Sequence, residues 1–204
     1  MPLTFAVVPA AGHSTRMGRP KLRLPLGERT VLEHVLGALQ QTDVRQTVVV
    51  AGPHTADLAP LAEAAGSHVL VLLEPTADMR ATVERGLQWL ADRFGPRPDD
   101  RWLLVPADLA RLEAAVVGQL LEARGAHQRA TVIIPTYGGR RGHPVLIDWK
   151  HVAGIRAWPA GQGLDAYLRG QAAETVELAV ADAGVLFDLD TPADYERLSG
   201  QRPG

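Results

Sequence analysis

The chain has 204 residues, a formal net charge of −2 and no cysteine. This length suits one α/β domain with its own core, and the lack of cysteine excludes disulfides, thiolate metal sites and cysteine nucleophiles. Lys and Arg are spread along the chain, which argues against a surface for nucleic acid or an anionic membrane. No apolar stretch reaches the roughly 18 residues of a membrane span, and the N-terminus lacks the basic start of a signal peptide. We therefore expect a cytoplasmic protein.

The first two thirds of the chain alternate short β-branched segments with longer segments of helical spacing. We expect strands at residues 4–9, 47–51, 69–73, 102–106 and 131–135. We expect helices at residues 30–41, 55–65, 79–94 and 109–124. This alternation is typical of parallel strands joined by crossover helices, so the predicted fold is a Rossmann-like three-layer α/β/α domain with a mostly parallel sheet.

The pattern changes after Pro135. A glycine-rich loop at 138–142 leads into an apolar segment, and we then expect helical turns at 149–158 and 164–169, strands at 175–180 and 184–189, and a last helix at 191–198. No linker separates domains. We predict a single domain over residues 1–200, followed by a frayed tail at 201–204.

Residues 9–21 follow the first predicted strand, at the edge of the sheet where ligands of parallel α/β proteins bind. The small residues Ala10, Ala11 and Gly12 allow a phosphate to approach the backbone N–H groups. Ser14 adds a hydroxyl, and Arg16 and Lys21 add positive charge that complements a triphosphate. Lys21 is followed by Leu, which does not fit a Walker A loop. The alternative is a polar surface loop with solvated cations.

Carboxylates follow two other predicted strands. Asp108 comes just after the fourth strand and is the first candidate ligand for Mg²⁺ (or Mn²⁺), which prefers oxygen ligands; the alternative is that it caps a helix beginning near Leu109. The second ligand is expected to be Asp188 or Asp190, because alternation along a strand would point both to one face. We favour Asp188. Thr191 and Pro192 are typical of a helix start.

Several motifs together resemble one enzyme family. They are A-A-G-x-S-x-R-M-G-x-x-K at 10–21, Met79 with Thr82, Gly86 and Leu87, Ala107-Asp108, R-G-H-P at 141–144 and D-L-D-T-P-A-D-Y at 188–195. Their order and spacing resemble the molybdenum cofactor cytidylyltransferase family of nucleotidyltransferases, over nearly the whole chain. The resemblance implies the nucleotide-diphospho-sugar transferase type of fold.

The resemblance implies transfer of CMP from CTP to molybdopterin or its molybdenum form, with release of pyrophosphate. Arg16, Lys21 and Asp108 would be catalytic, while Ala10, Ala11, Gly12 and Ser14 would join the two cations in binding the nucleotide. Arg141 and His143 would bind the anionic pterin acceptor, and a molybdoenzyme is a possible partner. His143 is equally well explained as a structural histidine at a strand start.

Three departures from the family pattern fall on the acceptor side. Leu109-Ala110 follow the aspartate, Glu74 and Asp78 stand where Asn and Gly are usual, and the segment 161–165 lacks the usual charged residues. Arg80 is close enough in sequence to pair with Glu74 or Asp78. Two rival hypotheses remain: a nucleotidyltransferase for a sugar, choline or polyol phosphate, and a non-catalytic protein that carries nucleotide or cofactor to a molybdoenzyme.

Overall fold

A computed structural model describes residues 1–200 of the chain. Within that range the strands are β1 Thr4–Ala10, β2 Pro25–Leu26, β3 Arg29–Thr30, β4 Gln46–Ala51, β5 His68–Val71, β6 Arg101–Leu104, β7 Val132–Tyr137, β8 Arg140–Arg141, β9 Val145–Asp148 and β10 Thr175–Ala179. The α-helices are α1 Val31–Gln40, α2 Ala59–Ala64, α3 Met79–Phe94, α4 Ala114–Ala126, α5 His151–Ala157, α6 Leu164–Gly170 and α7 Pro192–Ser199.

The main sheet has the strand order β10-β7-β9-β6-β1-β4-β5, and the short β8 pairs with β7. β1 lies near the centre and pairs in parallel with β4 and β6. β9 is antiparallel to β6 and to β7, so one reversed strand interrupts an otherwise parallel order. The predicted mostly parallel sheet is confirmed.

Helices cover both faces of the sheet. In β1, Ala6 and Val8 point to a core built with α1, α2, α4 and α7, whereas Phe5 and Val7 point to a core built with α3, α5 and α6. A central strand that is buried on both faces is apolar throughout, which explains the continuous apolar character of this segment. These two cores produce the three layers.

Close packing of α3 fixes its position over the sheet. A Cβ added at Gly86 would lie 2.8 Å from side-chain atoms of Val7 and Val50. Glycine at this position therefore lets the helix approach β1 and β4 closely. This contact helps to hold the start of α3 beside the carboxyl ends of the two strands. No helix in residues 1–200 is long and apolar enough to cross a membrane.

Two predicted elements are wrong. The helix expected from Leu109 begins instead at Ala114, because Leu109 and Ala110 form tight turns whose N–H groups bond to Pro106 and Asp108 carbonyls. Asp108 therefore does not cap an α-helix. The strand expected at 184–189 is a 3-10 helix at Ala183–Leu186, and residues 187–190 belong to no strand. The predicted frayed tail at 201–204 lies outside the described residues.

Candidate active site

A cleft opens at the carboxyl ends of β1, β5 and β6. It has a volume of about 380 Å³. One wall is the loop after β1, a second is the segment before and at the start of α3, and a third carries Asp108 and Asp190. The cleft thus gathers the residues that the sequence placed after three different strands.

The loop after β1 turns sharply at Ser14. Its φ is +50°, an uncommon left-handed conformation for a residue with a side chain, and its carbonyl accepts the N–H groups of both Met17 and Gly18. Met17 is 4% exposed and packs into the core beneath the loop together with Leu22. The buried Met17 and Leu22 anchor a loop whose remaining backbone faces the cleft.

Lys21 lies between two carboxylates. Its Nζ is 2.5 Å from Asp108 Oδ2 and 3.0 Å from Asp190 Oδ1. Arg16 Nη1 is 2.8 Å from Asp190 Oδ2. Burial alone would lower the pKa of Lys21, but the attraction of Asp108 and Asp190 outweighs it and raises the pKa above its usual value. The ammonium group is therefore charged at neutral pH.

A backbone hydrogen bond brings the C-terminal segment to this place. The N–H of Leu189 donates to the carbonyl of Asp108, at 3.2 Å, and the Leu189 side chain is fully buried. Thr191 then begins α7 with a capping box, in which its hydroxyl accepts from the N–H of Asp194 and the Asp194 carboxylate accepts from the N–H of Thr191. Asp190 is fixed between the buried Leu189 and this cap.

Asp188 lies beside the two other carboxylates and does not contact Lys21 directly. It keeps more than a third of its surface exposed. Partial burial of the carboxyl group and the negative charges of Asp108 and Asp190 raise its pKa to about 6, in spite of the opposing charges of Lys21 and Arg16. The region is therefore rich in negative charge, which favours a cation.

The structure pairs Asp108 with Asp190 through Lys21, whereas the sequence favoured Asp188. The sequence argument assumed a strand at 184–189, and without that strand the alternation of side chains does not hold. In the described part of the chain, no group of three or more His, Asp or Glu side chains is placed to hold a metal ion. The assignment of Asp108 with Asp188 or Asp190 to a metal stays a prediction.

The two predicted acceptor residues are both engaged with the protein. Arg141 forms an ion pair with Glu177 on the neighbouring β10, with Nη2 2.6 Å from Oε1. His143 follows Gly142, where a Cβ would lie 2.3 Å from the Val185 carbonyl oxygen, and the N–H of His143 donates to that oxygen. Close packing explains this glycine.

Of the two predicted acceptor residues, His143 has the side chain with an unpartnered polar atom. Burial lowers its pKa, and the charges of Asp108 and Asp165 oppose that shift without cancelling it. Its buried Nδ1 has no hydrogen-bond partner within residues 1–200. A neutral imidazole with an unpartnered nitrogen thus lies near Asp108, and the acceptor role of His143 stays a prediction.

The segment before α3 forms the remaining wall. Asp78 caps α3 by accepting the N–H of Ala81 at 2.8 Å, and the hydroxyls of Thr76 and Thr82 are hydrogen-bonded to each other. Thr76 was not predicted, and its only sequence signal is its place after β5. Arg80 pairs with neither Glu74 nor Asp78.

Arg80 instead ties this wall to the segment before α6. Its Nε is 3.1 Å from Glu84, and its Nη1 donates to three carbonyls, those of Trp158, Pro159 and Gln162. A guanidinium has several donors in one plane, which suits such a set of acceptors. Arg80 therefore fixes the start of α3 to the segment before α6 and forms no ion pair with the Asp78 carboxylate.

Comparison with known proteins identifies a family. The model of the MobA-like NTP transferase domain matches residues 6–176. A phosphoenolpyruvate guanylyltransferase from Sphaerobacter thermophilus is 31% identical over 98% of this chain and 94% of its own length. A 2-C-methyl-D-erythritol 4-phosphate cytidylyltransferase from Stenotrophomonas maltophilia is 38% identical over 58% of this chain, and the match spans about half of that enzyme (51%).

The fold is also shared with solved structures. A Mycobacterium tuberculosis protein crystallised in complex with manganese has a TM-score of 0.73 and 24% identity, over 98% of this chain and 99% of that one. At this identity the likeness establishes the fold.

Proposed function

Because the chain belongs to the MobA-like NTP transferase family of nucleotidyltransferases, we propose that it transfers a nucleoside monophosphate from a nucleoside triphosphate to a phosphorylated small molecule and releases pyrophosphate. The observation that carries this proposal is the position of Lys21, between Asp108 and Asp190 and facing the loop after β1. Cations and carboxylates in contact at the end of parallel strands suit a triphosphate that arrives with a metal ion.

The donor set suits a hard divalent cation. Asp108 and Asp190 offer carboxylate oxygens within reach of one ammonium group, and Mg²⁺ commonly takes one or two carboxylates together with substrate phosphates. Asp188 stands close enough to serve as the alternative second ligand. When bound, Mg²⁺ or Mn²⁺ would neutralise charge on the triphosphate and on the transition state.

The cations of the loop then change partners. In the structure Lys21 contacts Asp108 and Asp190, and Arg16 contacts Asp190. We propose that both cations turn to phosphate oxygens when the triphosphate binds, which would leave Asp108 and Asp190 free to hold the metal. An oxygen of the acceptor phosphate attacks the α-phosphorus, and the bond to the β-phosphate oxygen breaks. Positioning and charge neutralisation supply most of the acceleration, and no general base is required for an ionised phosphate.

The nucleoside fits the part of the cleft that has no cation. Pro75, Thr76, Met79 and Thr82 line it, with the Asp78 carboxylate at the start of α3. Arg16 and Lys21 are the cations that line the cleft, so the phosphates belong at their end. This orientation leaves the acceptor to approach from the side of Asp190.

Two substrate pairs are candidates at the finer level. The motifs at 10–21, 141–144 and 188–195 support CTP with molybdopterin, and the nearly full-length likeness to a guanylyltransferase supports GTP with phosphoenolpyruvate. We put CTP with molybdopterin first on the sequence motifs. Glu74 and Asp78 depart from the family pattern on the acceptor side, so GTP with phosphoenolpyruvate is the second candidate pair.

The test is a matrix of nucleotides and acceptors. Purified protein is incubated with Mg²⁺ or Mn²⁺, each of the four NTPs, and molybdopterin, phosphoenolpyruvate or a sugar, choline or polyol phosphate, and pyrophosphate release is measured. Release that requires CTP and molybdopterin supports the first pair, and release that requires GTP and phosphoenolpyruvate supports the second. Nucleotide binding without release for any acceptor would contradict the proposed activity and favour a carrier protein.

A further inference from the structure

The guanidinium of Arg80 joins the start of α3 to the connection between α5 and α6, residues 158–163. The Arg80 side chain is only 10% exposed. Its Nη1 lies 3.2 Å from the carbonyl oxygen of Trp158 and 2.9 Å from those of Pro159 and Gln162. Glu84, one turn further along α3, balances its charge, with Oε1 3.1 Å from Nε. The proposed chemistry so far gives this buried cation no part.

The connection has little else to hold it. Residues 159–163 are exposed, and Gly161 has a left-handed φ of +79°. One backbone hydrogen bond closes a turn inside the connection, from the N–H of Gln162 to the carbonyl of Pro159 at 3.3 Å. Within residues 1–200, no side chain other than Arg80 donates a hydrogen bond to it from another part of the chain. The position of the connection relative to α3 therefore depends on this guanidinium.

The start of α3 is held independently of that contact. Asp78 accepts the N–H of Ala81 at 2.8 Å, and the hydroxyls of Thr76 and Thr82 are hydrogen-bonded to each other. Gly86 then packs closely against β1 and β4. Loss of the guanidinium should therefore release the connection and leave the nucleoside side of the cleft in place.

The connection leads directly into the first turn of α6, which lies on the acceptor side of the site. Leu164 is buried in the same core as Val145, and Val145 pairs with the last residue of β6, the strand that precedes Asp108. Burial lowers the pKa of His143, and Asp165 is near enough for its charge to oppose that shift. The start of α6 is thus beside the place where the proposed reaction brings the acceptor to the α-phosphorus.

We infer that Arg80 is a positioning residue, which fixes the acceptor side of the site relative to the nucleoside side by holding the α5–α6 connection against the start of α3. This inference rests on the proposed nucleotidyl transfer. Arg80 acts through these two segments and not by contact with a substrate. Two substrates that react with each other must be held in a set geometry, so a displaced wall weakens productive binding of the acceptor.

Hydrogen exchange in the free protein tests the anchoring without any turnover. Arg80→Ala should increase the exchange rates of the N–H groups of Gln162 and Ala166 about tenfold, because both donate to carbonyls in or next to the connection. Exchange in α3 should change less than about twofold. Arg85→Ala is the matched control, since Arg85 is exposed on the same helix, and it should change neither region.

Steady-state kinetics tests the consequence for the acceptor, with the substrate pair that releases pyrophosphate. At saturating nucleotide, Arg80→Ala should raise the KM for the acceptor about tenfold, and the Kd of the metal nucleotide should change less than about twofold. Arg80→Lys keeps a charged donor and should limit the rise to about threefold, and it replaces Arg80→Ala if that variant does not fold. Glu84→Gln removes the ion pair and keeps the carbonyl contacts, so its acceptor KM should stay within about twofold of wild type.

Three results would overturn the inference. They are unchanged exchange at the connection in Arg80→Ala, a loss of nucleotide binding as large as the rise in acceptor KM, and an equal rise in Arg85→Ala. Faster exchange at the connection in Arg80→Ala, together with a wild-type protein that transfers no nucleotide to any acceptor, would instead exclude the proposed function and leave only the anchoring by Arg80.

Discussion

The loop side of the cleft and the β7–β8 hairpin hold their cations in different ways. On the loop side Arg16 and Lys21 contact carboxylates that are themselves candidate metal ligands. When a nucleotide binds with its metal ion, the cations can therefore pair with phosphate oxygens and the carboxylates with the metal. In the hairpin Arg141 is paired with Glu177 of β10, and neither residue lines the cleft. The difference teaches that the two kinds of ion pair should respond differently to substitution: the proposed function needs the pairs on the loop side to exchange partners, and it makes no such demand on the pair in the hairpin.

The largest expected effect comes from removing one carboxylate on the loop side. Asp108→Asn keeps the size of the side chain and removes its charge, so we expect turnover to fall below about a thousandth of wild type. Pyrophosphate release at saturating substrates and metal measures it. Asp43→Asn, an exposed aspartate, is the control, and circular dichroism checks the fold. Near-normal turnover in Asp108→Asn would exclude Asp108 as a metal ligand.

Lys21→Ala is expected to be the next largest change. It removes the ammonium that bridges Asp108 and Asp190, and we expect a loss of roughly 2–4 kcal/mol of transition-state stabilisation, read from kcat/KM. Lys21→Arg should recover part of it, because the charge is kept. If Lys21→Ala raised only the KM for the nucleotide, Lys21 would be a binding residue without a role in the transition state.

Asp188→Asn is expected to have a modest effect on stability that depends on pH. The folded pKa of about 6 lies above the ordinary aspartate value, so the folded state disfavours the ionised form. Ionised Asp188 therefore lowers the free energy of unfolding. This destabilisation is absent below about pH 4, grows between about pH 4 and 6, and is at its full size above about pH 6.

The variant should therefore be more stable than wild type at pH 7.5 without metal, by less than about 1 kcal/mol because the group is exposed and screened. The two proteins should converge as the pH falls to about 4. Urea unfolding at a series of pH values measures this difference, and a constant difference between the two proteins at every pH would contradict the raised pKa.

The smallest effect is expected for Arg141→Ala. The Arg141–Glu177 pair is partly exposed, so its loss should cost at most about 1 kcal/mol of stability, and turnover should stay within about twofold of wild type. Steady-state kinetics with varied acceptor measures it. A large rise in the acceptor KM would instead support the predicted acceptor role for Arg141 and would break the contrast between the loop side and the hairpin.

The sequence predicted the fold and the loop because both depend on local signals. The apolar strand at the centre of the sheet and the motif at 10–21 are each recognised from a short stretch of sequence, and the two stretches are adjacent. Because the carboxyl ends of parallel strands meet at one edge of the sheet, the position of the loop follows from the strand. The contact between Asp190 and Lys21 was not readable from the sequence. It depends on the hydrogen bond from Leu189 to Asp108 and on the absence of a strand, both of which arise from tertiary contacts.

The partners of Arg80 were equally out of reach of the sequence. Glu74 and Asp78 are its neighbours in the sequence, but its partners in space are Glu84 and three carbonyls of the segment before α6. A long side chain can pair with a group that is far away in the sequence, so its partners are determined by the folded structure and not by its sequence neighbours.

The bond between Lys21 and Asp190 joins residues that are 169 positions apart in the chain. Such a distant closure is entropically costly and is made late, after local contacts have formed. During synthesis β1 and the loop after it leave the ribosome long before residue 190 has been added. We expect the nascent chain to form its sheet first and the contacts of Asp190 last, so that Arg16 and Lys21 meet this carboxylate only when the final helix has docked.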